Sequence, residues 1–401
     1  LAYAAASAQF YCCGRAADPP TKKNPSPLHR YFARRFCKFP SYLRRSAIEF
    51  VKGQVASYLT RYQVWQTGGR TGGNARPPRF NPVAGCYPVM YRGQLVKFDV
   101  ELTTASLKLW DGKEWLWHEV AIKAVRHRHR LGTVKSPTLV LNRHCHLAVP
   151  VQLNPQRLPE GQKACAVDVG ISTLATASIV TPGGTIAARG FFHPAAEIDR
   201  RDKRAALIRR KARKTAKLSK GFGRAWYRKA KHINENTAQQ TSRKLVDCAL
   251  ARGADVIVLE NLKGWRPKGG RRRSGLRQRF HQWLHRRLAT LIEQKMAKVG
   301  GRVVYVHARG TSAWAFDGSG RVKRDTTQYE RATFRSGKRY NADLNASYNI
   351  GARYWAWNHK LTRRKDGQLS AGRSSPGKPR MPVTLSTLWQ REPEAPHRCK
   401  A

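Results

Sequence analysis

Acidic residues are scarce in this sequence: 24 Asp+Glu stand against 77 Lys+Arg, a formal net charge of +53. So large an excess repels itself in a compact chain unless a polyanion neutralises it, which points to nucleic acid ahead of an anionic membrane. Long apolar runs are missing as well. No stretch reaches the roughly 18 apolar residues of a spanning helix, so no membrane partner is expected. Cysteine pairs are missing too: the cysteines at 12, 13, 37, 86, 145, 165, 248 and 399 contain no C-x-x-C. That spacing excludes a dense disulfide framework and suits the reduced thiols of an intracellular protein. Cys12, Cys13, His29 and Cys37 give poor zinc spacing because two of them are adjacent. The opening "LAYAAASAQFYCCG" lacks a basic leader and a clear apolar centre, so no signal peptide is expected, and the location expected is cytoplasmic and nucleoid-associated.

What is present divides into unlike parts. Apolar residues make up 41% of the 401 positions, enough for two or three domains with cores. Residues 14–40 read as a basic arm. "SYLRRSAIEFVKGQVASYLTRYQVWQ" (41–66) spaces its apolar residues for a helix, and "QTGGRTGGNARPPRFNP" (66–82) breaks it. Short alternating runs over 87–153 predict an antiparallel sheet or small β-barrel. Trp110, Trp115 and Trp117 fall in these strands, where a core role is expected, although such rings also stack on bases. The N-terminal recognition half is thus 1–160. From 163 the pattern predicts strands at 163–169, 172–180 and 185–192, helices at about 196–218 and 224–252, a strand at 254–262, a helix at 275–300, a strand at 301–308 and a last helix at 343–357. The tail 358–401 is basic and expected to be loosely packed apart from "VTLSTLW". Three strands, helix, strand, helix, strand, helix is the order of an α/β ribonuclease H-like fold.

Three of the rare acids stand at element ends. Asp168 closes the first strand in "KACAVDVG", Glu260 closes the fourth in "VIVLEN", and Asp343 opens the last helix. Each alone has a plain reading: a turn cap for Asp168, a pair with Lys263 or Arg266 for Glu260, a helix N-cap for Asp343. In a ribonuclease H-like sheet, however, the first and fourth strands are neighbours and the last helix packs against them, so the carboxylates converge. Converging carboxylates repel unless hard divalent cations neutralise them, and two such ions activate water and stabilise a leaving oxygen at a phosphodiester. Residues 200–231 hold 15 Lys+Arg and one acid, Asp202. Arg210, Lys211, Arg213 and Lys214 in this run, and Arg271, Arg272 and Arg273 in "RPKGGRRRSGLRQR", are candidate phosphate contacts.

"AVDVGISTLATAS", "VIVLENLKG" and "YNADLNASYNIGAR" resemble the three split RuvC motifs of the TnpB transposon-associated nucleases, relatives of compact type V CRISPR effectors. The resemblance covers about 160–357, and its third motif is the most specific, through Asp343, Asn345, Ala346, Asn349 and Ile350. It implies a RuvC nuclease domain over 161–357 and an RNA-guided DNA endonuclease whose partners are a guide RNA and target DNA. It also implies a Mg²⁺ cofactor, two ions, held by the catalytic acids Asp168, Glu260 and Asp343. One departure stands out. The family usually carries a two-C-x-x-C zinc ribbon before the last motif, whereas residues 309–340 contain neither Cys nor His. Here Trp314, Phe316, Tyr329 and Phe334 are expected to cluster in a metal-free hairpin, or in an insert mobile without DNA, with Arg321, Lys323 and Arg324 offered to nucleic acid. Two alternatives stay open: a guide-dependent DNA binder that does not cut, and a non-enzymatic basic RNA-binding protein.

Overall fold

The computed structural model describes residues 27–68, 76–80, 86–123, 132–141, 145–171, 173–215, 219, 221–262, 284–325, 328–359, 361–363, 369–371 and 383–390. They fall into two compact units, Leu1–Asn154 and Pro155–Ala401.

In the first unit, α1 (Pro27–Arg35) and the long α2 (Ser41–Thr67) precede eight short strands: β1 (Cys86–Val89), β2 (Val96–Phe98), β3 (Thr104–Trp110), β4 (Trp115–Ala121), β5 (Thr133–Val134), β6 (Thr138–Val140), β7 (His146–Ala148) and β8 (Val151–Gln152). Leu43 of α2 joins Met90, Leu95, Val96, Ala105 and Leu107 in a small core. The expected barrel does not form: the strands make separate sheets, β1-β6-β7, β2-β3-β4 and β5-β8, and none closes among the described residues. Strands of two or three residues supply too few ladder hydrogen bonds to carry a sheet around a full circle. The tryptophans also divide. Trp115 packs on the core and donates from Nε1 to the Lys38 carbonyl at 2.8 Å. Trp110 and Trp117 stand 43% and 40% exposed instead, with Lys97 Nζ 4.7 Å from the centre of the Trp117 ring. By parity all three rings share one face of the β3–β4 pair; Phe39, 5.7 Å from Trp115 between ring centres, covers that ring and leaves Trp110 and Trp117 open.

The second unit is built on a five-stranded sheet of β9 (Ala164–Asp168), β10 (Ala175–Val180), β11 (Ile186–Phe192), β12 (Val256–Asn261) and β13 (Arg302–His307), in the order β11-β10-β9-β12-β13. β9, β10 and β11 pair antiparallel, and β12 lies parallel to both β9 and β13. This is the ribonuclease H-like arrangement. Burial on both faces explains the near-continuous apolar strands "ACAV" and "VIVL". Cys165, Val167, Ile257 and Leu259 face one way, against Leu245, Val246 and Ala249 of α4 (Arg224–Ala251) and Leu288, Ile292 and Met296 of α5 (His285–Lys298). Ala164, Ala166, Val256 and Val258 face the other way, against α6 (Ala342–Asn358). Gly351 sets how near α6 comes: a Cβ there would stand 2.5 Å from Val180 Cγ2 and 3.2 Å from Ala166 Cβ. α3 (Ala195–Lys214) packs along α4.

Candidate active site

Strand parity places the acids. Side chains two residues apart share a sheet face, so Asp168 follows Ala164 and Ala166 onto the α6 face, and Glu260 follows Val256 and Val258 onto the same one. The register Val256↔Ala164 and Val258↔Ala166 continues to put Glu260 beside Asp168 at the carboxyl ends of two parallel neighbours. Asp343 lies in the first turn of the helix that covers this face. Its backbone N–H and that of Leu344 donate to Asn341 Oδ1, at 3.0 and 2.9 Å, so Asn341 is the N-cap. The N-cap reading of Asp343 is therefore corrected, and its carboxylate is released from that duty.

Glu260 and Asp343 lie near enough for their charges to bear on Asp168. Burial raises the Asp168 carboxyl well above the usual range, and the charges of Glu260 and Asp343 raise it further, against the opposing Arg324 guanidinium and the Val169 N–H. Burial also raises Glu260, which is restrained by a hydrogen bond from Thr311 Oγ1 and by the nearby Arg353. Burial raises Asp343 as well; Arg324 pulls it down and Glu330 pushes it up. Lys263 and Arg266, the suggested partners of Glu260, lie outside the described residues, as do Arg271, Arg272 and Arg273.

Several residues around the acids carry weaker sequence signals. Thr311 reaches Glu260 from the loop after β13. Arg324 sits in β14 (Lys323–Arg324) of a three-stranded insert with β15 (Arg331–Thr333) and β16 (Arg339–Asn341); it is exposed, donates from Nη1 to the Tyr329 carbonyl at 3.3 Å, and its charge bears on Asp168 and Asp343. The insert packs around Phe316, Phe334, Tyr340 and Tyr348, whose rings meet edge-on or tilted with centres 5.0 to 6.1 Å apart. Tyr329 was expected in that cluster but is 73% exposed, because it lies in the turn before β15. Asn345 and Asn349, one turn apart on α6, bind the loop that leads into the insert. Asn345 accepts from Phe316 N at 2.8 Å and donates to the Trp314 carbonyl at 2.9 Å. Asn349 donates to the carbonyls of Thr311 and Trp314 at 2.9 and 2.8 Å. Spacing of i, i+4 on a helix of apolar residues is the signal that could have assigned both asparagines to a buried loop.

Three oxygen-bearing acids suit a hard divalent cation. Thr176 Oγ1 adds a further polar atom: it is buried, has no hydrogen-bond partner, and its residue stands directly across from Asp168 in the β9–β10 ladder. Among the described residues, no group of three His, Cys, Asp or Glu side chains is already set to hold a metal ion. The residues fit magnesium chemistry by donor type. On α3, Arg210, Lys211, Arg213 and Lys214 are all exposed, and Lys211 Nζ lies 4.2 Å from the centre of the Trp226 ring. Arg201, in the same run, is instead buried and bonded to Asp202 at 2.9 Å. Among the described residues no helix is long and apolar enough to cross a membrane.

Residues 285–350, from α5 into α6, match the family model of the Cas12f1-like TNB domain, and residues 19–111 match that of the Aq_aa04 family. The CRISPR-associated endodeoxyribonuclease Cas12f2 of Micrarchaeota archaeon (strain CG1_02_47_40) is 30% identical over 198 residues, 46% of this chain. That match spans 34% of the relative's own length. A crystal structure of the AacC2c1–sgRNA–extended non-target DNA ternary complex aligns with a TM-score of 0.50 at 11% identity, covering 86% of this chain and 64% of that one, a likeness of fold. In these stretches the chain is similar to the compact, TnpB-like type V effectors.

Proposed function

We propose that this chain is an RNA-guided DNA endonuclease that hydrolyses phosphodiesters at Asp168, Glu260 and Asp343. The observation that carries the reading is the nearness of three of the chain's few acids, two on one sheet face and the third on the helix that covers it, where two of them raise the third. Carboxylates crowded in this way destabilise a fold unless a cation has use for them. These three side chains would hold Mg²⁺, which when bound activates a water and stabilises the leaving oxygen. Thr311 orients Glu260, and the Asn341 cap leaves the Asp343 carboxylate free to turn inward. Arg324 supplies positive charge beside Asp168 and Asp343, where a phosphate would lie. The exposed row Arg210, Lys211, Arg213 and Lys214 binds the phosphate backbone of guide RNA or target DNA without reading sequence, and base pairing supplies the specificity. In this reading residues 1–160 recognise guide and target, and 161–357 cut.

The test is cleavage of DNA matched to the RNA that co-purifies with the protein. Asp168→Ala, Glu260→Gln and Asp343→Ala should each abolish Mg²⁺-dependent cutting while leaving DNA binding largely intact. Robust cutting by any one variant would refute the assignment. A wild-type protein that binds guide-matched DNA and does not cut it identifies a binder. RNA without any matched-DNA binding identifies an RNA-binding protein.

A further inference from the structure

The tail after α6 is basic, yet it contains the apolar island "VTLSTLW". That island is docked: Thr384, Leu385, Ser386 and Leu388 are buried, and Ser386–Trp389 forms the short helix α7. A helix of this length does not hold in water by itself, so tertiary contacts must order it.

The contacts reach three separate places. Ser386 N donates to the Phe316 carbonyl at 2.8 Å, at the start of the insert. Leu385 N donates to Asn349 Oδ1 at 3.3 Å, on α6. Trp389 Nε1 donates to the Gly184 carbonyl at 3.1 Å, in the β10–β11 turn. Two glycines make room. A Cβ at Gly318 would stand 2.5 Å from Ser386 Oγ, and one at Gly184 would stand 2.9 Å from the Trp389 ring. Both have φ near +80°, where a side chain is strained in any case. From Leu385 a run of hydrogen bonds leads to the acids: Asn349 takes the Leu385 N–H and gives its own amide to the Thr311 carbonyl, and the Thr311 hydroxyl holds Glu260.

We propose that residues 383–389 are a C-terminal clamp that positions the catalytic centre, holding the insert against α6 and, through Asn349 and Thr311, the Glu260 carboxylate. The clamp does for the cysteine-free insert what a metal would do elsewhere: it joins the insert to the helix that carries Asp343. A segment that merely filled a gap would touch one element through apolar atoms. This one places a backbone or ring N–H on each of three, and the contact on Asn349 leads on to Glu260. The clamp's effect on catalysis rests on the nuclease reading; its effect on the insert does not.

The test uses the full-length protein carrying Leu388→Ala and Trp389→Ala together, beside Trp389→Phe, which keeps a ring against Phe316. Amide hydrogen exchange is followed well below the melting temperature. In the double variant, exchange at 311–316 and 331–341 should speed up by about tenfold or more, with β12 and α4 unchanged. Single-turnover cleavage of guide-matched DNA should fall by about tenfold or more, as expected for a small misplacement of a catalytic group, with RNA binding unaltered. Trp389→Phe should recover most of both. Faster exchange confined to 383–390 with full cleavage would overturn the clamp, and so would uniform loosening of the whole unit. If the wild type does not cut, the nuclease reading fails, and coupled exchange between 383–390 and 311–316 still decides the clamp.

Discussion

Replacing Asn349 with Ala removes three hydrogen bonds at once, and their consequences differ. The Trp314 carbonyl keeps the Asn345 amide at 2.9 Å, so it stays paired. The Thr311 carbonyl and the Leu385 N–H lose the Asn349 side chain, and both residues are buried, 3% and 1% exposed. An orphaned buried polar group costs about 1–3 kcal/mol, so two give a loss of about 2–6 kcal/mol, towards the lower end where water enters the gap. Such a loss is a large fraction of the 5–15 kcal/mol that holds an average domain together. Asn349→Asp should be worse than Ala. It keeps an acceptor for Leu385 N but turns a carboxylate oxygen towards two carbonyls inside the protein, where an unpaired charge is expensive. Urea unfolding of the purified variants, followed by tryptophan fluorescence and extrapolated to water, measures both differences. A loss below about 0.5 kcal/mol for Ala, or an Asp variant as stable as wild type, would refute the reasoning.

Asp168→Asn should melt higher than wild type at pH 7–8 in chelator. The raised Asp168 carboxyl binds a proton in the fold that the unfolded chain has already released, so wild-type stability falls as pH rises from the ordinary value of 3.8 through the raised one. The variant should show a shallower fall over that window, and an unchanged slope in melting scans would count against the crowding of acids. Affinity for RNA should drop steeply with salt, at a slope in log–log form of about −0.7 per neutralised phosphate for single strands. Charge reversal of Arg210, Lys211, Arg213 and Lys214 should flatten that slope, and filter binding across salt concentrations reads it. Removing divalent and zinc ions with a strong chelator should leave hydrogen exchange in the insert unchanged, because its core is aromatic. Elemental analysis showing one retained zinc per chain would contradict that account.

The unit Pro155–Ala401 was legible where its signals are periodic and local. Continuous apolar strands and acids at element ends each follow from short-range chemistry, and β9, β12 and α6 lie within two residues of the expected bounds. The parity of Ala164, Ala166 and Asp168 could be counted directly in the letters. Arg324 could not be assigned in this way. It sits among basic residues that look alike in sequence, and only the folding of the insert brings its charge to bear on Asp168. Asn349 was visible as a letter of the third motif, but its role, like that of Thr311, depends on a loop and a tail far apart in the chain. In the other half, strands of two to seven residues fixed the alternation and left open whether the sheets close. Trp110 and Trp117 misled because an alternating strand states which residues share a face, not which face is covered.

The seam between α6 and the sheet is made of side chains that are scarcely there: Ala164 and Ala166 on β9, and Gly351 on the helix. It works as a thickness gauge. Gly351 lies eight residues from Asp343, about 12 Å along the helix axis, so a methyl group added at the seam would tilt the helix and swing its acid end away from Asp168. Drift in this protein's descendants is therefore constrained unevenly. The exposed end of the helix, where Trp357 is 69% exposed, is open to larger changes, while position 351, against Val180 and Ala166, admits only glycine without a shift, and the spacing of two carboxylates is inherited through the absence of a few carbon atoms.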